Sequence, residues 1–233
     1  MPKPGSRSPS QGRQRDLKYP LTADNLEVSL PGKPANKPVI AVDIDDVLMP
    51  HFQDLINWYN KKYKTKLTLA NNHPTDPRPW GTESIHEAVQ RVHGFFDTGK
   101  FLSSQPYRES VKAVNKLSQR YSLMVVTARD TILERVTRDW LKKHFGELFA
   151  DAHFTARYSL DGKSQTKTAV CLAIGAGYLV DDALDLSIDA AKAGIKVLLF
   201  GDYPWNQTKK LPRGIARVKN WQEVLEYFNA ASR

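Results

Sequence analysis

Pro38-Val39-Ile40-Ala41-Val42-Asp43-Ile44-Asp45-Asp46-Val47-Leu48 is the stretch from which the fold can be read. Four of the five residues before Asp43 are aliphatic and mostly β-branched, the pattern of a short strand buried on both faces in the middle of a parallel sheet. Asp43, Asp45 and Asp46 then fall at its C-terminal end, the edge of an open α/β sheet at which ligands sit. Acids this close repel one another unless a positive charge is present. A divalent cation is the simplest compensator, because Mg²⁺ prefers oxygen ligands and keeps waters and substrate phosphate in its shell. Asp residues after a strand also serve as loop and helix-cap residues, so the acids alone do not make a site.

A second aliphatic run ends in the same way. Tyr178-Leu179-Val180-Asp181-Asp182-Ala183-Leu184-Asp185 reads as another buried strand tipped by acids. Two such strands in one chain are hard to explain by chance, and they are expected to lie side by side and share the cation. Between them, Ser122-Leu123-Met124-Val125-Val126-Thr127-Ala128-Arg129 is a buried strand ending in a hydroxyl residue. Further strands are expected over 149–155, 195–200 and, as a last edge, 215–218, with helices over 106–121, 131–145, 187–193 and 221–228. Ile132, Val136, Trp140 and Leu141 are assigned to the inner face of the second of these helices. His144 and His153 lack metal-ligand partners at useful spacing and read as structural.

The chain does not pass from the first strand directly into a crossover helix. Phe52, Leu55, Ile56, Tyr59 and Tyr63 fall at helical spacing and predict an amphipathic helix over about 50–64. A polar loop with prolines at 74, 77 and 79 breaks regular structure, and a second helix is expected over 82–92. Trp58, Tyr59, His73, Arg78, Trp80, Phe95, Phe96 and Phe101 supply this excursion with aromatic and polar groups, for substrate contact or for a small core of its own.

The 233 residues, 41% hydrophobic, suit one large α/β domain carrying an insertion. The one cysteine, Cys171, excludes an intramolecular disulfide and fits a reducing interior. No apolar run approaches the ~18 residues of a membrane span and no secretory signal opens the chain, so a soluble, cytoplasmic protein is expected. The net charge of +9 favours anionic substrates without selecting one. In residues 1–37, seven Lys and Arg face three acids amid Pro, Ser, Gly and Gln, the composition of a disordered basic arm. Such an arm could contact nucleic acid, but without aromatic interleaving or helical periodicity a solvated extension is the stronger expectation.

Asp-x-Asp-x-Val after an apolar strand (Asp43, Asp45, Val47) resembles the first motif of the haloacid dehalogenase-like (HAD) phosphohydrolases. Thr127 at its strand end resembles the second motif, a lysine opening the helix before residue 178 the third, and Asp181-Asp182 the fourth. Lys167, which starts that helix, is taken as the motif lysine, with Lys163 as the alternative. Gly201-Asp202-Tyr203-Pro204-Trp205-Asn206 resembles a loop of the deoxyribonucleotidase-like, 5'-nucleotidase-related branch. The resemblance covers about 37–228. It implies an α/β fold with a doubly wound, mainly parallel Rossmann-like sheet, a core of 38–48 and 106–233, and a helical cap inserted at 49–105.

For function it implies a Mg²⁺-dependent phosphomonoesterase acting through an aspartyl phosphate. Asp43 is then the nucleophile and Asp45 the acid and base. Thr127 and Lys167 clamp the phosphoryl group, Ala128 and Arg129 extend the substrate contacts, and Asp43, Asp45 (through its carbonyl), Asp181 and Asp182 hold the metal. Arg129 could equally pair with Asp130 or Glu134. A small phosphorylated substrate is expected, a nucleoside monophosphate first. The rival reading is a non-catalytic HAD-fold protein recruited through the basic arm to nucleic acid or a protein. One departure stands out: Asp46 occupies a position where many phosphatases of this family have Gly, and its carboxylate could reinforce the cation site or disturb the turn.

Overall fold

The aliphatic run forms β1 (Val39–Val42), every residue of it buried, in a computed structural model that describes residues 37–72, 76–157 and 164–230. After β1 come α1 (Phe52–Tyr63), α2 (Ile85–Phe96), α3 (Gly99–Leu102), α4 (Arg108–Ser118), β2 (Ser122–Thr127), α5 (Glu134–Phe145) and β3 (Phe149–Phe154). Then follow α6 (Lys167–Ala173), β4 (Ala176–Asp181), α7 (Leu184–Lys192), β5 (Lys196–Phe200), β6 (Ile215–Val218) and α8 (Trp221–Ala230). The strands form one sheet in the order β3-β2-β1-β4-β5-β6, and each neighbouring pair is parallel. This is the doubly wound α/β arrangement, and the connections change direction between β1 and β4, where a crevice opens beyond the strand ends.

Both faces of β1 are covered, which explains its lack of polar alternation. Ile40 and Val42 pack with Val114 and Leu117 of α4 and with Trp221, Val224 and Phe228 of α8. Val39 and Ala41 face Val170 and Cys171 of α6 and Ala190 of α7. At roughly 25 cal/mol per Å² of apolar surface, these two layers are the main source of stability.

Residues after β1 build a separate apolar cluster of Leu55, Ile56, Tyr59, Leu67, Trp80, Ala88, Phe95 and Phe101, joined by Leu133. Most of the excursion's aromatics therefore pack against one another. The second helix starts later than its apolar spacing suggests. Ser84 caps it by accepting from Glu87 N at 3.1 Å, while Glu87 accepts from Glu83 N at 3.1 Å. The Ser-x-x-Glu spacing was the available signal.

Ile132 is a correction: it is 68% exposed, and Leu133 is buried in its place. The helix expected from 131 begins with a 3₁₀ turn, Thr131–Leu133, capped by Asp130 accepting from Ile132 N at 3.1 Å. The tighter winding of that turn rotates its side chains relative to an α-helix. Residues 1–36 of the basic arm expected over 1–37 lie outside those described, as do Lys163 and His73. No helix among the described residues is long and apolar enough to cross a membrane.

Candidate active site

The register levels the two acidic tips. Val42 pairs with Val180, so Asp43 and Asp181 end adjacent strands at the same height, and Asp43 N donates to Val180 O at 3.0 Å. Lys167, the first residue of α6, sits between them with its Nζ 2.7 Å from Asp43 Oδ2 and 2.7 Å from Asp181 Oδ2. All three side chains are buried. Thr166 caps α6 by accepting from Ala169 N, which fixes where the helix begins and hence where the lysine points.

Asp43, Asp181 and Asp182 each offer an oxygen within 4.8 Å of the others. Lys167 balances one of these three negative charges. Arg129 is occupied by Asp45, so two charges remain uncompensated in a buried place, and one divalent cation would neutralise them. Asp43 Oδ1 points the same way: it is buried and has no hydrogen-bond partner among the described residues. The donor set therefore fits Mg²⁺. Burial pushes the Asp43 carboxyl up to about 7, against the pull of Lys167. Burial likewise raises Asp182, helped by its acidic neighbours Asp181 and Asp43.

Asp45 stands in a different environment. Burial opposes its ionisation, yet the Arg129 guanidinium holds its carboxyl below the usual range. Arg129 Nε donates to Asp45 Oδ2 at 2.9 Å and Nη2 to Asp45 Oδ1 at 2.7 Å. The pairing of Arg129 with Asp130 or Glu134 is thereby corrected, since Asp130 caps the 3₁₀ turn and Glu134 binds Arg138. Thr127 ends β2 fully buried, two residues past Val125, the partner of Val42. Its Oγ1 accepts from Arg129 N at 3.3 Å. Ala128 lies between them and accepts from Arg157 N at 3.2 Å through its carbonyl.

Asp46 does neither of the two things expected of it. Its φ of 59° is left-handed, a conformation easiest for Gly and next for Asn and Asp. Its carboxylate turns away to cap α1, accepting from His51 N at 3.1 Å and Phe52 N at 3.1 Å. Replacing it tests this. Asp46→Ala is expected to lower stability by about 2 kcal/mol, from the lost cap and the strained turn. Asp46→Asn keeps both and should match the native protein in urea denaturation. An alanine variant as stable as the asparagine one would remove the cap from the account.

Four further residues were not assigned to the site from sequence. His51 Nδ1 lies 3.2 Å from Asp45 Oδ1, among the rings of Phe95, Phe96 and Phe101, and burial lowers its pKa. Trp205 Nε1 donates to Asp182 Oδ2 at 2.8 Å, and Asn206 Nδ2 donates to Asp182 O at 3.1 Å. Tyr203 donates its hydroxyl to Asp46 O at 2.8 Å and stacks on Trp205 at 4.5 Å. The loop after β5 thus holds both acidic tips. Its Tyr-Pro-Trp-Asn run was visible, but nothing local shows which strand it reaches.

Comparison with known proteins gives concordant results. The family of 5' nucleotidase, deoxy (pyrimidine), cytosolic type C proteins matches residues 37–232. A nucleotidase from Clostridium acetobutylicum is 29% identical over 190 residues, covering 79% of this chain and 90% of its own. A predicted phosphatase from the same organism superposes with a TM-score of 0.63 at 14% identity, over 83% of this chain and 99% of its own. A magnesium-bound HAD hydrolase from Bacillus subtilis superposes with a TM-score of 0.56 at 12% identity, over 83% and 99% of the two chains. The two superpositions show a shared fold.

Proposed function

The chain belongs to the 5' nucleotidase, deoxy (pyrimidine), cytosolic type C family of HAD phosphohydrolases, and from that membership we propose that it hydrolyses a nucleoside monophosphate, in a deoxy form first, through a phosphorylated Asp43. The observation that carries this reading is Lys167 bridging Asp43 and Asp181 while Asp43 Oδ1 stays unpartnered.

Asp43 Oδ1 attacks phosphorus in line, and Asp45, ionised beside Arg129, passes the proton of the phosphate monoanion to the leaving oxygen. Asp45 then receives a proton from the water that attacks the aspartyl phosphate, and Asp43 is released as a carboxylate. Lys167 holds the nucleophile and the phosphoryl oxygens together, with Thr127 and Ala128 bordering the group from the tip of β2. Asp43, Asp181, Asp182 and the Asp45 carbonyl would hold Mg²⁺, which supplies charge neutralisation for the phosphoryl oxygens. Residues 49–105 act as the cap, excluding water and selecting substrate. Resemblance of the core to HAD enzymes supports these assignments, and the nucleotide class rests on the family.

A screen of ribo- and deoxyribonucleoside monophosphates against sugar phosphates, with and without Mg²⁺, tests the reading. Turnover of nucleotides that EDTA abolishes is expected; efficient turnover of sugar phosphates alone would overturn the substrate class. The metal site also has a pH signature. The folded-state value of Asp43, about 7, lies above that of an unfolded Asp, about 4. The ion-free protein binds the extra proton between those values, so its stability falls as pH rises through that window. Mg²⁺ displaces that proton. The rise in Tm produced by Mg²⁺ is therefore expected to be larger at pH 8 than at pH 6, and the reverse order would contradict the site.

A further inference from the structure

Arg129 offers five N–H donors in a planar fork, and four of them are engaged around Asp45 and the wall behind it. Nε and Nη2 take the two oxygens of Asp45, Nη1 donates to Thr137 Oγ1 at 3.0 Å, and Nη2 also approaches Met49 Sδ at 3.5 Å. Phe101, from the excursion after β1, lies against the guanidinium at 5.1 Å. The side chain is only 5% exposed, so it reaches a substrate phosphate only by breaking this set. Asp45 itself is 23% exposed, the one partner of the pair that faces an incoming group.

We propose that Arg129 is the positioning residue of the acid–base step, acting through Asp45 rather than on the phosphate: its fork fixes the plane of the Asp45 carboxylate, and Thr137, Met49 and Phe101 fix the fork. The proposal rests on the reading of Asp45 as acid and base. A bidentate fork sets both position and orientation of a carboxylate, which a lysine's point charge cannot do. Proton transfer to a leaving oxygen depends on that orientation. In the first step the Asp43 Oδ–P bond forms, the P–O bond to the leaving group breaks, and the proton of the phosphate monoanion passes through the Asp45 carboxylate to the departing oxygen. In the second, the water O–P bond forms, the Asp43 Oδ–P bond breaks and Asp45 takes the water proton.

The test compares two leaving groups. A nucleoside 5'-monophosphate releases an alkoxide that needs the proton, whereas 2,4-dinitrophenyl phosphate releases a phenolate that does not. In Arg129→Met, kcat for the nucleotide should fall about 10²-fold with KM nearly unchanged, while the first-turnover burst of dinitrophenolate falls far less. Arg129→Lys should show the same selectivity, because it keeps the charge and loses the fork. Thr137→Val, which removes one support of the guanidinium and leaves the ion pair, should give a smaller loss of the same pattern if Arg129→Met does not fold. Equal losses on both substrates, or a rise in KM with kcat unchanged, would overturn the proposal. Should the unmutated protein give no dinitrophenolate burst or phosphoenzyme, the covalent mechanism itself falls; a normal burst without leaving-group selectivity in the variants removes only the role of Arg129.

Discussion

Asp43→Asn is expected to lower phosphatase turnover by about 10⁴-fold or more, the scale on which loss of a covalent nucleophile is felt. That is about 5.5 kcal/mol of transition-state stabilisation. The amide keeps the shape of the carboxylate and one acceptor for Lys167, so the pocket persists, but it lacks the negative oxygen that attacks phosphorus. The same substitution should not cost stability. Burial holds Asp43 near 7, so at pH 8 its charge opposes folding, and the neutral amide removes that opposition. Denaturation in EDTA at pH 8 should place the variant at or above the native protein, on the order of 1 kcal/mol or more. Loss of activity together with retained or increased stability separates a nucleophile from a structural acid. Unchanged turnover in this variant would sink the assignment of Asp43.

The second large effect is expected at Lys167. Its ammonium is buried within 2.7 Å of two carboxylates, and those carboxylates hold it well above the ordinary lysine value despite burial. Lys167→Met removes the positive partner and leaves Asp43 and Asp181 facing each other in the interior. Breaking a buried pair from one side costs about 3–5 kcal/mol, a large share of the 5–15 kcal/mol that typically separates folded from unfolded chains. The ion-free variant should therefore melt well below the native protein. Mg²⁺ would supply the missing charge and recover part of the difference, so the gain in Tm on adding it should exceed that of the native protein. Equal melting of variant and native protein in EDTA would show that Lys167 is not the compensating charge.

Much of this site was legible because strands display their chemistry locally. Val39 to Val42 and Leu179 to Val180 are apolar on both faces, and such a run ends where the sheet meets solvent, so Asp43 and Asp181 could be placed at strand tips from sequence order alone. Lys167 was identifiable through the order of the HAD-like motifs, which places a lysine at the start of the helix before β4. Ile132 was misplaced because a 3₁₀ turn and an α-helix share apolar spacing over so few residues, and only the Asp130 cap distinguishes them. His51 carried no periodic or motif signal, and Trp205 was visible within a family-like loop whose reach the sequence does not show. Their roles exist because α1 and the loop after β5 converge on the acids from positions far apart in the chain.

The sequence by itself determined the parallel α/β sheet and the acidic tips of β1 and β4, since burial and periodicity act over a few residues, while the lysine that opens α6 was picked out by the order of the family-like motifs. The tertiary structure decided how the acids divide their work. Asp43 shares Lys167 with Asp181, Asp45 is gripped by Arg129 from beyond β2, Asp46 turns to cap α1, and Asp182 is held by Trp205. Five neighbouring carboxylates have the same chemistry on paper; the distance and burial of the cation or donor that folding brings to each one separates them.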